Sequence, residues 1–232
     1  MKLYGTTGQF LSDSAIICGG FNGQNRYYNN GYTKKCFLKK GATSFESITP
    51  MTEARQYARS IVTQGHIWIT GGLDKNDNKL SSTEFIPKRS TSAPRLPEPV
   101  AYHALVSLNE TTSILIGGYT NSDSTSSKTH YFDHQSQSWK DGPSLMKGRF
   151  EHTAGLITDH VTHAKHLAVV GGYDGYVELD SVELLLSGET QWTKGILSQT
   201  FVEPHLSASV STLISKFYFC CRTRITKKNY AS

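Results

Sequence analysis

Long apolar runs are missing from this sequence. Segments such as Ala15-Ile16-Ile17-Cys18 and Leu167-Ala168-Val169-Val170 are four residues long, whereas a helix crossing a bilayer needs ~20. No membrane-spanning helix is expected. The stretch from Met1 to Gln9 lacks the apolar segment that a secretory leader carries. The expectation is a cytoplasmic chain by default, or an extracellular one if the true start lies upstream. Charge is also sparse, at 19% of 232 residues, and Ala, Glu, Lys and Leu do not dominate, which excludes a coiled coil. The net charge of +5 is confined to one end: residues 216–232 hold Lys216, Arg222, Arg224, Lys227 and Lys228 and no acid. The other 19 basic residues match the 19 acids. The body of the chain has no global field to steer nucleic acid, and no nucleic-acid partner is expected.

What the sequence has is glycine in pairs. Gly19-Gly20, Gly71-Gly72, Gly117-Gly118 and Gly171-Gly172 recur at spacings of 52, 46 and 54 residues. Each pair ends a short β-rich run of a length that fits a buried strand and is too short for a helix. Glycine there permits positive φ and close backbone approach. An aromatic or apolar residue follows each pair: Phe21, Leu73, Tyr119, Tyr173. A polar loop and a second strand come next, then a further aromatic in three repeats, Phe45, Trp139 and Trp192, with no counterpart in the second repeat. A fresh strand begins near Ala58, His103, His152 and His205.

This in-phase pattern resembles the kelch repeat. Its third copy is the nearest match, through Ile116-Gly117-Gly118-Tyr119, Tyr131-Phe132-Asp133, Ser138-Trp139, Gly142-Pro143 and Arg149-Phe150-Glu151-His152. The period of ~50 residues agrees with kelch spacing. The resemblance implies an all-β fold: a kelch-type β-propeller of four recognisable blades plus part of a fifth. Repeats fall at roughly 10–57, 58–102, 103–151 and 152–204, with a partial fifth over 205–221, so that residues 1–215 hold the propeller and 222–232 a basic tail. Trp139, Trp192 and their substitutes are expected to fill the wedge between blades.

The fifth repeat breaks off. Lys216-Phe217-Tyr218-Phe219 should precede a double glycine, but Cys220-Cys221 stand in its place. Either four blades close on themselves, with a strand near 206–214 or 216–220 pairing to the N-terminal segment, or the propeller is incomplete, as the larger blade number of kelch relatives implies. An incomplete propeller leaves open edges that invite self-association.

Cys18 and Cys36 lie on strands expected to be antiparallel neighbours. They read either as a disulfide of an oxidising compartment or as two small apolar residues in a blade core. Asn109-Glu110-Thr111 is a glycosylation sequon in an expected hairpin turn. Cys220-Cys221 are not spaced as zinc ligands.

No catalytic constellation, metal site or cofactor site is expected. His103, His152 and His205 share one repeat position, which argues for packing, because a catalytic residue would occur once. His160, His163 and His166 read as a solvated hairpin loop. Some kelch-like propellers are copper radical oxidases, and an enzyme remnant is the remote alternative. The leading expectation is a binding scaffold that takes a protein or peptide partner, in kelch relatives often a ubiquitin-ligase substrate, through polar loops on one face. Arg26, Tyr27, Tyr28, Arg55, Arg149 and Tyr176 are the candidate contacts. A secreted kelch protein in adhesion or matrix binding is the alternative.

Overall fold

The computed structural model describes residues 4–11, 14–21, 31–40, 43–89, 93–122, 124–159, 161–195, 208–210 and 219–221, the last two by backbone alone. Every regular element among them is a β-strand, and strands follow one another in antiparallel meanders. The first sheet runs β1 (Thr7–Leu11), β2 (Ser14–Cys18), β3 (Cys36–Lys40), β4 (Ser44–Ile48). The second is β5 (Arg59–Thr63), β6 (His66–Thr70), β7 (Thr83–Ile86). The third contains β8 (Val100–Ala101) and β9 (Ala104–Ser107), both paired to β10 (Thr112–Thr120), then β11 (Thr125–Asp133) and β12 (Ser138–Asp141). The fourth is β13 (Thr153–Thr158), β14 (Lys165–Val170), β15 (Val182–Leu185), β16 (Thr193–Gly195). A last hairpin pairs β17 (Ala208–Val210) with β18 (Phe219–Cys221). Among the described residues β17 pairs with β18 and not with the N-terminal strand.

The second sheet has three strands where its neighbours have four or five. Four of the seven prolines, Pro87, Pro94, Pro97 and Pro99, fall in residues 87–99, where a fourth strand would lie. Proline donates no ladder hydrogen bond, and the missing aromatic of the second repeat belongs to the same gap.

Cores form between consecutive sheets. Ile16, Cys18 and Cys36 of the first pack on Ile67, Ile69 and Ile86 of the second. Ile61, Trp68 and Phe85 pack on Leu105, Leu115 and Phe132 of the third. Ala104, Val106, Ile114 and Ile116 of the third pack on Leu167, Val169, Leu185 and Trp192 of the fourth. The period of two is explicit: Ile67 and Ile69 face one neighbour and Trp68 the other, and Ile114 and Ile116 oppose Leu115. Burial on both faces explains why these strands read as continuous apolar runs. Cys18 and Cys36 are cross-strand partners and form a disulfide.

The aromatic wedge holds unevenly. Trp192 is 5% exposed and its indole N–H donates to the Pro143 carbonyl at 2.8 Å. Trp139 is only partly buried and makes the equivalent bond to Arg95 at 2.8 Å. Phe45 is 51% exposed, which corrects the expectation for the first repeat: it lies on the outer strand β4, with Phe10 of the same sheet also exposed. Trp68, absent from the repeat pattern, is fully buried and stacks among Phe85, Phe132 and Trp139.

Candidate functional site

The first strands of successive sheets lie side by side, β1 next to β5, β5 next to β9 and β9 next to β13. Just before each of β5, β9 and β13, one residue adopts a positive φ: Tyr57 at 54°, Tyr102 at 56° and Glu151 at 56°. This is the left-handed region, costly for side chains other than Gly, Asn and Asp. The cost is offset by a backbone ladder that crosses from sheet to sheet. Tyr57 N–H donates to Gly5 O at 2.8 Å, Tyr102 N–H to Tyr57 O at 3.1 Å, and Glu151 N–H to Tyr102 O at 3.0 Å. The preceding residue bridges to the one after a double glycine in the same way each time, as in Gln56 with Leu73 and Phe150 with Tyr173.

This ladder gathers half-buried aromatics at the double-glycine end of the sheets. The Tyr57 and Tyr102 rings stack at 4.2 Å, and Phe150 lies 5.8 Å from Tyr102, 5.2 Å from Tyr119 and 5.4 Å from Tyr173. The Lys79 ammonium sits 4.5 Å over the Tyr119 ring.

One cation and one acid lie within reach of each other's field. Arg59, the first residue of β5, makes no ion pair or side-chain hydrogen bond among the described residues; burial lowers its pKa and the charge of Glu151 opposes that. Burial pushes the Glu151 carboxyl up to about 7, with Arg59 pulling the other way. Behind them stand two fully buried histidines. His103 is held down to about 3 by burial and then by the charge of Arg59. His152 is held well below its ordinary value by burial, then by the charges of Arg149 and Arg59. Both are neutral at physiological pH.

The histidines pack against glycine. A methyl placed on Gly117, whose φ is +56°, would meet Arg149 O at 2.7 Å and His152 Cε1 at 2.9 Å. His103 Nε2 also bonds Thr70 Oγ1 at 2.9 Å. His205 lies outside the described residues.

The arginines singled out from the sequence are not surface contacts. Arg55 is 1% exposed and Arg149 0%. Arg55 donates to Gly71 O at 2.8 Å, Ser82 O at 3.0 Å, Ser82 Oγ at 3.1 Å and Glu84 Oε1 at 2.9 Å. Arg149 repeats the arrangement on Gly171 O at 2.9 Å, Ser181 O at 3.4 Å, Ser181 Oγ at 3.2 Å and Glu183 Oε1 at 2.5 Å. Each carboxylate also accepts two backbone N–H groups from the linker, from Thr52 and Glu53 on Glu84 and from Met146 and Lys147 on Glu183. Burial alone would raise Glu84; these N–H groups and Arg55 outweigh it and hold the carboxyl below its usual range. The planar guanidinium fork fits this task and an ammonium would not. Arg55 and Arg149 therefore clamp the linker to the sheet it enters and offer no donor to a partner.

Tyr176 is 89% exposed, in a turn whose N–H groups Asp174 accepts. Arg26, Tyr27, Tyr28 and His160 lie outside the described residues. His163 is exposed and His166 accepts from Ser187 N–H. Among the described residues, no group of three or more His, Cys, Asp or Glu is placed to hold a metal ion. No helix among them is long and apolar enough to cross a membrane. Sequence reading missed Tyr57, Arg59, Tyr102 and Glu151. Tyr57, Tyr102 and Glu151 share a repeat position that holds tyrosine twice and a carboxyl once, and that alignment is the available signal.

No family model matches this chain, and no curated protein does. Solved structures do. One titled "Structure of YjhT" superposes with a TM-score of 0.69 at 14% identity, covering 89% of this chain and 73% of that one. At that identity the likeness shows the fold alone.

Proposed function

We propose that the chain is a kelch-type β-propeller, its four sheets the blades and the β17–β18 hairpin part of a fifth, and that it acts as a recognition scaffold for a protein or peptide partner. The meandering sheets, the cores between consecutive sheets and the adjacency of their first strands support this architecture. In such an arrangement the Tyr57–Tyr102–Glu151 ladder lies at the inner edge of one face. The single observation that carries the functional reading is Arg59: a half-buried guanidinium with five donors and no side-chain hydrogen-bond partner among the described residues, two positions from Tyr57 in the sequence. A half-buried cation with open donors is matched by a counter-charge, and tyrosine and arginine are the side chains that anchor interfaces. The partner is accordingly one that presents an acidic side chain. The scaffold contributes binding and no chemistry.

The test is an array of random peptides probed with the whole chain, each acidic peptide matched by its Asn/Gln counterpart. Acidic members should be retained and their counterparts not, and Arg59→Met should abolish the difference. Equal retention of both classes, or an unchanged profile in Arg59→Met, refutes the reading. An extracellular version of this scaffold is the second reading, favoured by the Cys18–Cys36 disulfide. In either version the exposed Phe10 and Phe45 give a second copy a surface to cover.

A further inference from the structure

We propose that Asn109 carries an N-linked oligosaccharide, and that the chain matures through an oxidising secretory compartment. The sequence holds one Asn-x-Ser/Thr triplet, Asn109-Glu110-Thr111, and it falls on the turn between β9 and β10, where all three residues are exposed. The turn presents the amide in a defined way. Asn109 Oδ1 accepts from Thr111 N–H at 2.9 Å, Thr112 N–H at 2.8 Å and the Thr111 hydroxyl at 3.0 Å. Its backbone is fixed as well: Asn109 N–H donates to Thr112 O at 3.2 Å and its carbonyl accepts from Ser107 Oγ at 3.1 Å. All the carboxamide's bonds are thus made through oxygen. Nδ2 has no hydrogen-bond partner among the described residues and is the atom left to react.

The reaction needs a lipid-linked oligosaccharide diphosphate as donor and the membrane-bound transferase of that compartment, which activates the amide. Nδ2 attacks the anomeric carbon, a C–N bond forms, and the C–O bond to the diphosphate breaks. The lipid diphosphate leaves with the electron pair, and the proton that Nδ2 loses passes to the departing diphosphate or to water. The Thr111 hydroxyl lies 3.0 Å from Oδ1 of the same carboxamide, and a hydroxyl two positions on is what the acceptor triplet requires.

A second observation points to the same compartment independently. Cys18 and Cys36 are joined in the core between the first two sheets, at 2% and 0% exposure, and a buried structural disulfide persists where thiols are oxidised. The fold also separates the glycan from the aromatic face. Tyr102 precedes β9 and Asn109 follows it, so the two lie at opposite ends of one strand. A sugar on Asn109 leaves the Tyr57–Tyr102–Glu151 end uncovered.

The experiment expresses the full chain behind a secretory leader in animal cells, treats it with a glycan-removing amidase, and maps residue 109 by mass spectrometry. Wild type, Glu110→Gln and Thr111→Ser should yield Asp at position 109 after treatment, while Asn109→Gln and Thr111→Ala should show no mobility shift. Thr111→Ser keeps the hydroxyl and Thr111→Ala removes it, so modification of the first and not of the second assigns the requirement to the hydroxyl and not to the methyl group. The same mapping on the chain isolated from its source cells, with thiol alkylation before reduction, should find Asp at position 109 and no labelled Cys18 or Cys36. An unmodified Asn109 in the secreted wild type, a shift that persists in Asn109→Gln, or labelled Cys18 and Cys36 in the source material overturns the proposal.

Discussion

Replacing Glu151 by Gln should convert a pH-dependent cost into a constant. The carboxyl rises from its ordinary 4.5 to about 7 because burial disfavours its charge. The folded chain therefore prefers it neutral. Stability from this preference is complete below about pH 4.5, where the unfolded chain also holds the proton, and drains away as pH rises through about 7. At ~1.4 kcal/mol per tenfold, a rise of that size costs the folded state about 3 kcal/mol once the group is ionised. Gln keeps the shape and cannot ionise. The two proteins should thus unfold alike near pH 4, and Glu151→Gln should be more stable by about 3 kcal/mol near pH 8.

His103 and His152 act in the opposite sense. Their folded pKa values lie below 6.5, so what they contribute is full above about pH 6.5 and is lost as pH falls. Both proteins share these histidines, and the difference between them isolates Glu151. The assay is urea unfolding followed by tryptophan fluorescence at steps from about pH 4 to about pH 8. A difference that is flat across that range refutes the assignment of a desolvated carboxyl at position 151. The Arg59→Met background sharpens the test: without the cation that holds Glu151 down, the step should move to higher pH.

Three further outcomes follow from the packing. Arg149→Met should destabilise by ~3–5 kcal/mol by stranding Glu183 in the interior, and adding Glu183→Gln, which removes the charge and keeps an acceptor for the linker N–H groups, should recover part of that; a denaturant double-mutant cycle with no coupling would contradict the clamp. Trp192→Ala should cost ~3–5 kcal/mol and Trp139→Ala distinctly less, because the first indole is buried and the second is half in solvent; equal shifts in urea midpoint would count against the described core. Cys18→Ser with Cys36→Ser should lower stability by about 3 kcal/mol, the entropy of opening a loop of this length, and reduction of the wild type should reproduce the loss in a melting experiment.

Much of the strand pattern was written in the sequence because its signals are local and repeated. A double glycine at the end of a short apolar run is one such signal, and Ile67-Trp68-Ile69 carries its two-sided burial in its composition. The three-stranded second sheet was half legible: the missing aromatic was visible, while the cause, four prolines in residues 87–99, needed the sheet boundaries to become apparent. The arginines were misread because charge alone suggests a surface. The repetition that marks His103 and His152 as packing residues marks Arg55 and Arg149 as well, each with a glutamate on the third strand of the sheet it enters and a serine just before that strand.

The same logic, inverted, locates the site. A repeat position whose backbone is fixed by architecture, here a positive φ within a ladder from sheet to sheet, is free to vary in side chain, since packing does not choose it. At one such position Tyr57 and Tyr102 match and Glu151 departs, whereas Gly71, Gly117 and Gly171 are identical at another. Identity across copies reports what the sheets need of each other, and difference reports what faces outward from them. Arg59 fits neither class of packing residue: its counterparts Ala104 and Thr153 carry no charge, and no neighbour among the described residues accepts its hydrogen bonds. A half-buried cation that the fold leaves without a hydrogen-bond partner costs stability, and a binding role for that charge is the account that makes the cost intelligible.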